Sequence, residues 1–223
     1  MSSYVSRIRA MANSPVTSPR ARNPRGQGER LRQALIEAAT ELLADLEDVE
    51  ALSVRAVTAR VGVTPTALYL HFADKDELLE TVSERCFGEF RSYLRAAREQ
   101  AGPDPRTQLE QMCQAYLRFA AEHPGRYRVL FHTRRRPPTE TAPPPSSMHD
   151  LELEWSKTAI EAFGDLIRAV KRCLPPERDP VPVALMIWAG EHGYVGLRET
   201  SSHLPFPDPA TYIRQLIDAH VTE

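Results

Sequence analysis

With 223 residues, 42% of them hydrophobic and 26% charged, the chain is long enough for a small module and a larger one, each burying a core. Its charge is nearly balanced, −2 from 28 basic and 30 acidic side chains, and no apolar run is long enough to span a bilayer, so a soluble globular protein without a membrane partner is expected. The N-terminal residues carry arginines but lack the apolar stretch of a secretory signal, which predicts a cytoplasmic protein.

The charge is unevenly spread. From Met1 to Gly28 there is no Asp or Glu, while Arg7, Arg9, Arg20, Arg22 and Arg25 stand among Ser, Pro, Asn and Gly. This reads as a disordered basic arm over residues 1–28 in front of a more acidic body. Helical spacing of apolar residues then begins and continues to the end, with no stretch alternating as a strand would, so the fold class is all-α. The first helix is predicted over about Glu29 to Ala44, with Leu31, Leu35, Ala38, Ala39, Leu42 and Leu43 on its buried face. Two short helices and a long one follow, ending at Gly102-Pro103-Asp104-Pro105, a string of helix breakers. Further helices are expected over about Arg106 to Glu122, Gly125 to Thr133, His149 to Cys173, Val181 to Ser201 and Pro209 to Val221. Between the second and third of these, Arg134 to Ser147 holds five prolines and reads as a mobile loop. Cys86, Cys113 and Cys173 are odd in number, far apart and without metal-ligand spacing, which suits buried free thiols and predicts no metal site. Nor does any pattern call for a cofactor.

The most informative stretch runs from Leu52 to Phe72. Ser53 is placed to cap a short helix whose inner side carries Ala56, Val57 and Val61, and Gly62 stands where the chain must turn. Thr64 is a second cap and Pro65 a first-turn proline, so a new helix starts within a few residues and runs to Tyr69, His71 and Phe72. Val57, Val61, Val63 and Leu68 are positioned to pack between the two. By spacing alone this fits either a helix pair that lays its second member in a major groove or any other tight helical hairpin. Next, Asp74 and Glu77 of Asp-Lys-Asp-Glu-Leu-Leu form a capping box that opens the long helix.

This Leu52 to Leu79 segment, with its Gly-Val-Thr, Leu-Tyr-x-His-Phe and Asp-Lys-x-x-Leu-Leu elements, resembles the DNA-binding domain of TetR-family repressors. The resemblance implies a DNA-binding unit over residues 29–79, its last helix continuing to about residue 101. It further implies that Thr64, Pro65, Thr66 and Ala67 approach base edges, that Tyr69, His71 and Lys75 meet phosphates, and that Ser53 and Arg55 touch backbone or bases. Hydroxyls and cations are the groups that bond phosphate oxygens. Two departures stand out. Leu70 occupies a position that is often basic or polar in the family, and Thr66 and Ala67 offer no bidentate base contact, which leaves more to DNA shape.

Residues 102–223 are then expected to bind an effector and to dimerise. On the helix predicted over Val181 to Ser201, Leu185, Trp188, His192 and Val195 share one face, and Met186, Gly190, Gly193 and Leu197 the opposite one, so both faces are expected to be covered. Trp188-Ala-Gly-Glu-His-Gly-Tyr-Val-Gly-Leu also resembles the C-terminal domain of a TetR subgroup named for its Trp, His and Gly. That resemblance implies a homodimer through the last two helices, with Met186, Gly190, Gly193, Leu197, Ile213 and Leu216 at the interface. It also implies a pocket for a small apolar or aromatic effector, for which Tyr116, Tyr127, Phe131, Trp155, Phe163, Trp188 and His192 are the candidates; ordinary core packing is the other reading of each.

The implied function is that of a transcriptional repressor holding an inverted-repeat operator in double-stranded DNA as a homodimer. An architectural DNA-binding protein is the nearer alternative, although packaging DNA does not require a large polar-poor second domain. An all-helical enzyme built on His71, His123, His132 or His192 is disfavoured, because no nucleophile motif, metal pair or phosphate-cradling loop accompanies them.

Overall fold

The computed structural model describes residues 27–46, 48–132, 157–201 and 203–221. Among them lie nine α-helices and one short 3-10 helix, without a strand. Residues 1–26 of the expected basic arm, the Arg134 to Ser147 loop, Trp155 and the start of the helix expected from His149 lie outside the described residues, while the arm's last two positions, Gln27 and Gly28, belong to α1.

Helix α1, Gln27–Asp45, buries Leu35, Ile36, Ala38, Ala39, Thr40 and Leu43. Ile36 and Thr40 widen the predicted stripe, and the Thr40 hydroxyl is accommodated by donating to the Ile36 carbonyl at 2.8 Å. A 3-10 turn over Val49–Ala51 leads to α2, Val54–Val61, capped by Ser53, whose side chain accepts from the Ala56 amide at 3.0 Å. At its far end Gly62 takes φ +79°, and its N–H reaches the last-turn carbonyls of Thr58 and Ala59. A left-handed C-terminal residue of this kind is where glycine avoids the Cβ penalty. Ala56, expected on the inner side of α2, is exposed instead, and Thr58 is buried in its place with its hydroxyl bonded back to Val54 O at 2.9 Å.

Helix α3 covers only Pro65–Leu68, after which Tyr69 to His71 form turns closed by His71 N to Leu68 O at 2.9 Å. The expected helix to Phe72 is therefore cut short by about one turn. Phe72 is nonetheless buried, together with Leu68 and Val57, and holds the pair on α1. Asp74 caps α4, Lys75–Gln100, by accepting from the Glu77 amide at 2.8 Å, and Glu77 accepts from Ala73 N. The capping box is thus formed as predicted.

Three later helices share one opening device. In α5 (Pro105–Glu122), α8 (Pro180–Thr200) and α9 (Pro209–His220) an aspartate caps the helix and a proline stands at its start. The carboxylate satisfies orphan amides, and proline adds none of its own. Between them lie α6, Pro124–His132, and α7, Lys157–Lys171. Helix α4 is the spine: α1, α5, α6 and α7 all pack on it, and α8 and α9 complete the second layer against α5 and each other. The buried residues of both halves form one continuous cluster.

Candidate nucleic-acid interface and internal cavity

Two regions carry chemistry, one at each end of α4. At the first, the helix pair sets its polar side chains outward. Arg55, Thr64, Pro65, Thr66 and Tyr69 are exposed, Ala67 and His71 half-buried, and Leu70 is 78% exposed, the most open large apolar side chain of the domain. Thr64 stands at the cap position of α3 but makes no capping bond with its side chain. Its hydroxyl is therefore available to an outside acceptor, and so is the O–H of Ser53, whose oxygen accepts from Ala56 N without using the hydroxyl proton.

Lys75 is different. Its ammonium donates to the Glu50 carbonyl at 3.0 Å and to the Glu50 carboxylate at 2.9 Å. A cation in the first turn of a helix opposes the macrodipole and calls for an anion; here the chain supplies one. Arg60 is likewise occupied by Glu41 at 2.7 Å, and Arg32 lies over the Phe72 ring at 5.0 Å.

The second region is a small cavity between α4, α5, α6, α7 and α8, about 50 Å³ in volume and partly open to the exterior. Small-molecule sites share this apolar character, and at this volume the cavity has to widen around a ligand. Of the residues named from the sequence, Tyr116, Phe131, Phe163 and Trp188 line it. Tyr127 and His192 stand behind that wall: the Tyr127 hydroxyl lies 2.7 Å from His192 Nδ1, and Tyr116 lies 3.1 Å from both. Burial pushes both tyrosines well above their ordinary range, so they act as neutral hydroxyls. Trp155 lies outside the described residues.

Sequence reasoning missed the wall contributed by α4, namely Phe87, Phe90 and Leu94, and also Met112, Cys113 and Glu191. Glu191 is 2% exposed. Its signal was legible, because Val183, Ala184, Ile187, Glu191 and Tyr194 recur at helical spacing and form the buried stripe of α8. Leu185, placed beside Trp188 by the two-face reading, is instead 44% exposed, and Met186, Gly193 and Leu197 are also open to the outside of the single chain. Gly190 faces inward, where an added Cβ would stand 2.8 Å from the Leu216 side chain and 3.2 Å from the Tyr212 hydroxyl. Ile213 is fully buried within its own chain, so it is withdrawn from the predicted interface.

The two regions are joined by a second seam. The Cα of Gly125 in α6 lies so close to Ala44 in α1 that an added Cβ would fall 2.3 Å from the Ala44 Cα, and Arg128 donates to the Ala44 carbonyl at 2.6 Å.

The family model described as bacterial regulatory proteins, tetR family, matches residues 35–82, and one described as a tetracyclin repressor-like C-terminal domain matches residues 109–220. The chain belongs to the TetR family. Its DNA-binding helices and its C-terminal helical domain are those of a TetR regulator. Solved structures share the fold at low identity. A TetR family transcription regulator from Marinobacter aquaeolei is 18% identical over 90% of this chain and all of its own (100%), with a TM-score of 0.64. A TetR-like transcriptional regulator from Rhodococcus sp. is 22% identical over 87% of this chain and 96% of its own, with a TM-score of 0.58. The fatty acid degradation regulator FadR from Bacillus halodurans is 15% identical over 85% and 94%, with a TM-score of 0.61. Among the described residues of this TetR chain no helix is long and apolar enough to cross a membrane.

Proposed function

We propose that this TetR-family chain is a cytoplasmic, non-enzymatic transcriptional repressor that holds an inverted-repeat operator as a homodimer and lets go when a small apolar or aromatic molecule enters the cavity. The observation that carries this reading is the double use of α4. Its first residue, Lys75, stands beside the helix pair assigned to DNA, and three to five turns on, Phe87, Phe90 and Leu94 form one wall of the cavity. A ligand that holds α4 in a different tilt changes the spacing of two recognition helices related by the dimer axis, and it does so only to the extent that it binds that tilt more tightly. Coupling between such sites is commonly about 1–3 kcal/mol.

Base contacts are assigned to Thr64, Pro65, Thr66 and Ala67, and phosphate contacts to Ser53, Arg55, Tyr69, His71 and, once released from Glu50, Lys75. Dimerisation is assigned to the open face of α8 at Met186, Gly193 and Leu197, with Leu185 beside it and Leu216 of α9 beneath Gly190. The division into an arm, a DNA-binding unit over residues 29–79 and a sensing unit over residues 102–223 follows from this assignment.

The test begins with DNA selected from a random pool by the purified protein. The selected sites are expected to share a dyad, with half-sites about one helical turn or more apart. Titrating apolar and aromatic compounds against the bound site, beside a Phe131→Ala variant, is expected to lower affinity in the native protein alone. A ligand shown to bind in the cavity without weakening DNA binding would end the sensing mechanism and leave the DNA-binding reading intact.

A further inference from the structure

The cavity contains a feature that an apolar effector does not explain. Its wall is made of aromatic and aliphatic groups, yet the carboxyl of Glu191 lies within that lining, fully removed from solvent. The Cys113 thiol bears on the charge of this carboxyl, and Oε1 has no hydrogen-bond partner among the described residues. A polar atom left unpaired in an apolar interior destabilises the fold unless something satisfies it. The groups whose charge state is coupled to it are Cys113 and Tyr116 of α5, Tyr127 of α6 and Tyr212 of α9, all acids that burial keeps neutral and none a cation. Among these groups there is an acceptor and no counter-charge, and the imidazole of His192 is engaged with Tyr116 and Tyr127. Around it stand Phe90, Tyr116, Phe131, Phe163 and Trp188, and aromatic faces attract an organic cation.

We infer that the cavity is built for an organic cation, a protonated amine with an aromatic or aliphatic body, whose ammonium pairs with Glu191 while its body lies among the aromatic rings. This rests on the reading of the cavity as the effector site and specifies the chemistry of what enters it. Without ligand, burial raises the Glu191 carboxyl to about 8, so near neutrality it is largely protonated. An incoming ammonium favours the carboxylate, and the displaced proton leaves to solvent, so that the charges balance as a buried ion pair.

The experiment uses three probes of one shape and different charge: phenylbutylamine, phenylbutanol and phenylbutyrate. Each is titrated calorimetrically into the full chain and into Glu191→Gln, with release of a selected operator followed in parallel. The amine is expected to bind at least tenfold more tightly than the alcohol, and the acid more weakly than both. Amine affinity should rise by up to about tenfold per pH unit between roughly pH 6 and 7, since one proton is released on binding, while alcohol affinity stays flat. Glu191→Gln, nearly the same in shape, should bind amine and alcohol alike and lose the pH slope. If the alcohol binds as tightly as the amine and releases DNA, the cation inference is overturned while the effector cavity stands. Retention of the amine preference in Glu191→Gln would overturn it equally. If none of the probes binds, the cavity reading and this inference fall together.

Discussion

Lys75 and Glu191 show how far a residue type alone can be trusted. Lys75 was legible as a cation needing an anion, but not which anion, because Glu50 lies 25 positions away in sequence and meets it only once the 3-10 turn has formed. Two opposite effects follow if the lysine must turn from Glu50 to a phosphate. Lys75→Ala should weaken operator binding and reduce the slope of log affinity against log salt by about one. Glu50→Gln, which takes away the ammonium's charged partner while leaving the Glu50 carbonyl contact and removes a carboxylate from the DNA face, should tighten binding several-fold; fluorescence anisotropy over a salt series reads both. If neither variant moves affinity or slope, the pair is only a brace for the 3-10 turn. Glu191 makes a different prediction, about stability. Its carboxyl is raised from an ordinary 4.5 to about 8 in the folded chain, with burial as the leading cause, so the folded state binds a proton that the unfolded state gives up. Its contribution to stability is therefore intact below about pH 4.5 and lost as pH rises through about 8. Glu191→Gln should flatten that decline and raise the melting temperature most at the alkaline end, and thermal unfolding at several pH values checks it.

Among the elements, those with strong punctuation were the legible ones. Asp104-Pro105, Asp179-Pro180 and Asp208-Pro209 each open a helix within one residue of where the sequence placed it, because cap and proline act locally. Helix α3 was drawn too long for the converse reason: nothing in Tyr69-Leu70-His71 forbids a helix, and the chain turns there because Phe72 is drawn into the core against α1. Periodicity also misjudged α8. Two apolar faces were read from a helix that has three, and the inward one was overlooked because it contains a glutamate. The packing of α6 on α1 was invisible as well, since a glycine at the start of a helix carries no signal of what it touches. Gly125→Ala forces apart two backbones rather than two flexible side chains, so it should cost about 1–3 kcal/mol in stability and alter operator affinity. Gly190→Ala, which meets only the far end of Leu216, should cost less. Equal melting temperatures for the two variants would count against this account of the α1–α6 seam.

For the whole molecule, the all-α fold and its two-part division could be read from patterning, whereas the position of the cavity could not. Its lining comes from five helices spread over more than a hundred positions, and the α4 wall looks in sequence like any other amphipathic stripe. The open apolar face of α8 bears on assembly. Gly193 has open space where a Cβ would be added, so Gly193→Leu leaves the single chain undisturbed and places bulk only where a second copy would sit. It should yield a folded monomer with unchanged helicity and greatly weakened operator binding, measurable by sedimentation and by anisotropy. A dimer of native strength in this variant would move the interface elsewhere. The close meeting of Gly125 with Ala44 has a practical corollary for anyone building hybrid sensors. A chimera cut at the end of α4, the natural place to exchange one reading head for another, would put a foreign α1 against this α6. Any donor with a side chain larger than alanine at position 44 would be pushed off its seat, so a transplant that carries α6 along with the head, or matches that one position, should give a working switch where a cut by domain boundary alone gives an unresponsive one.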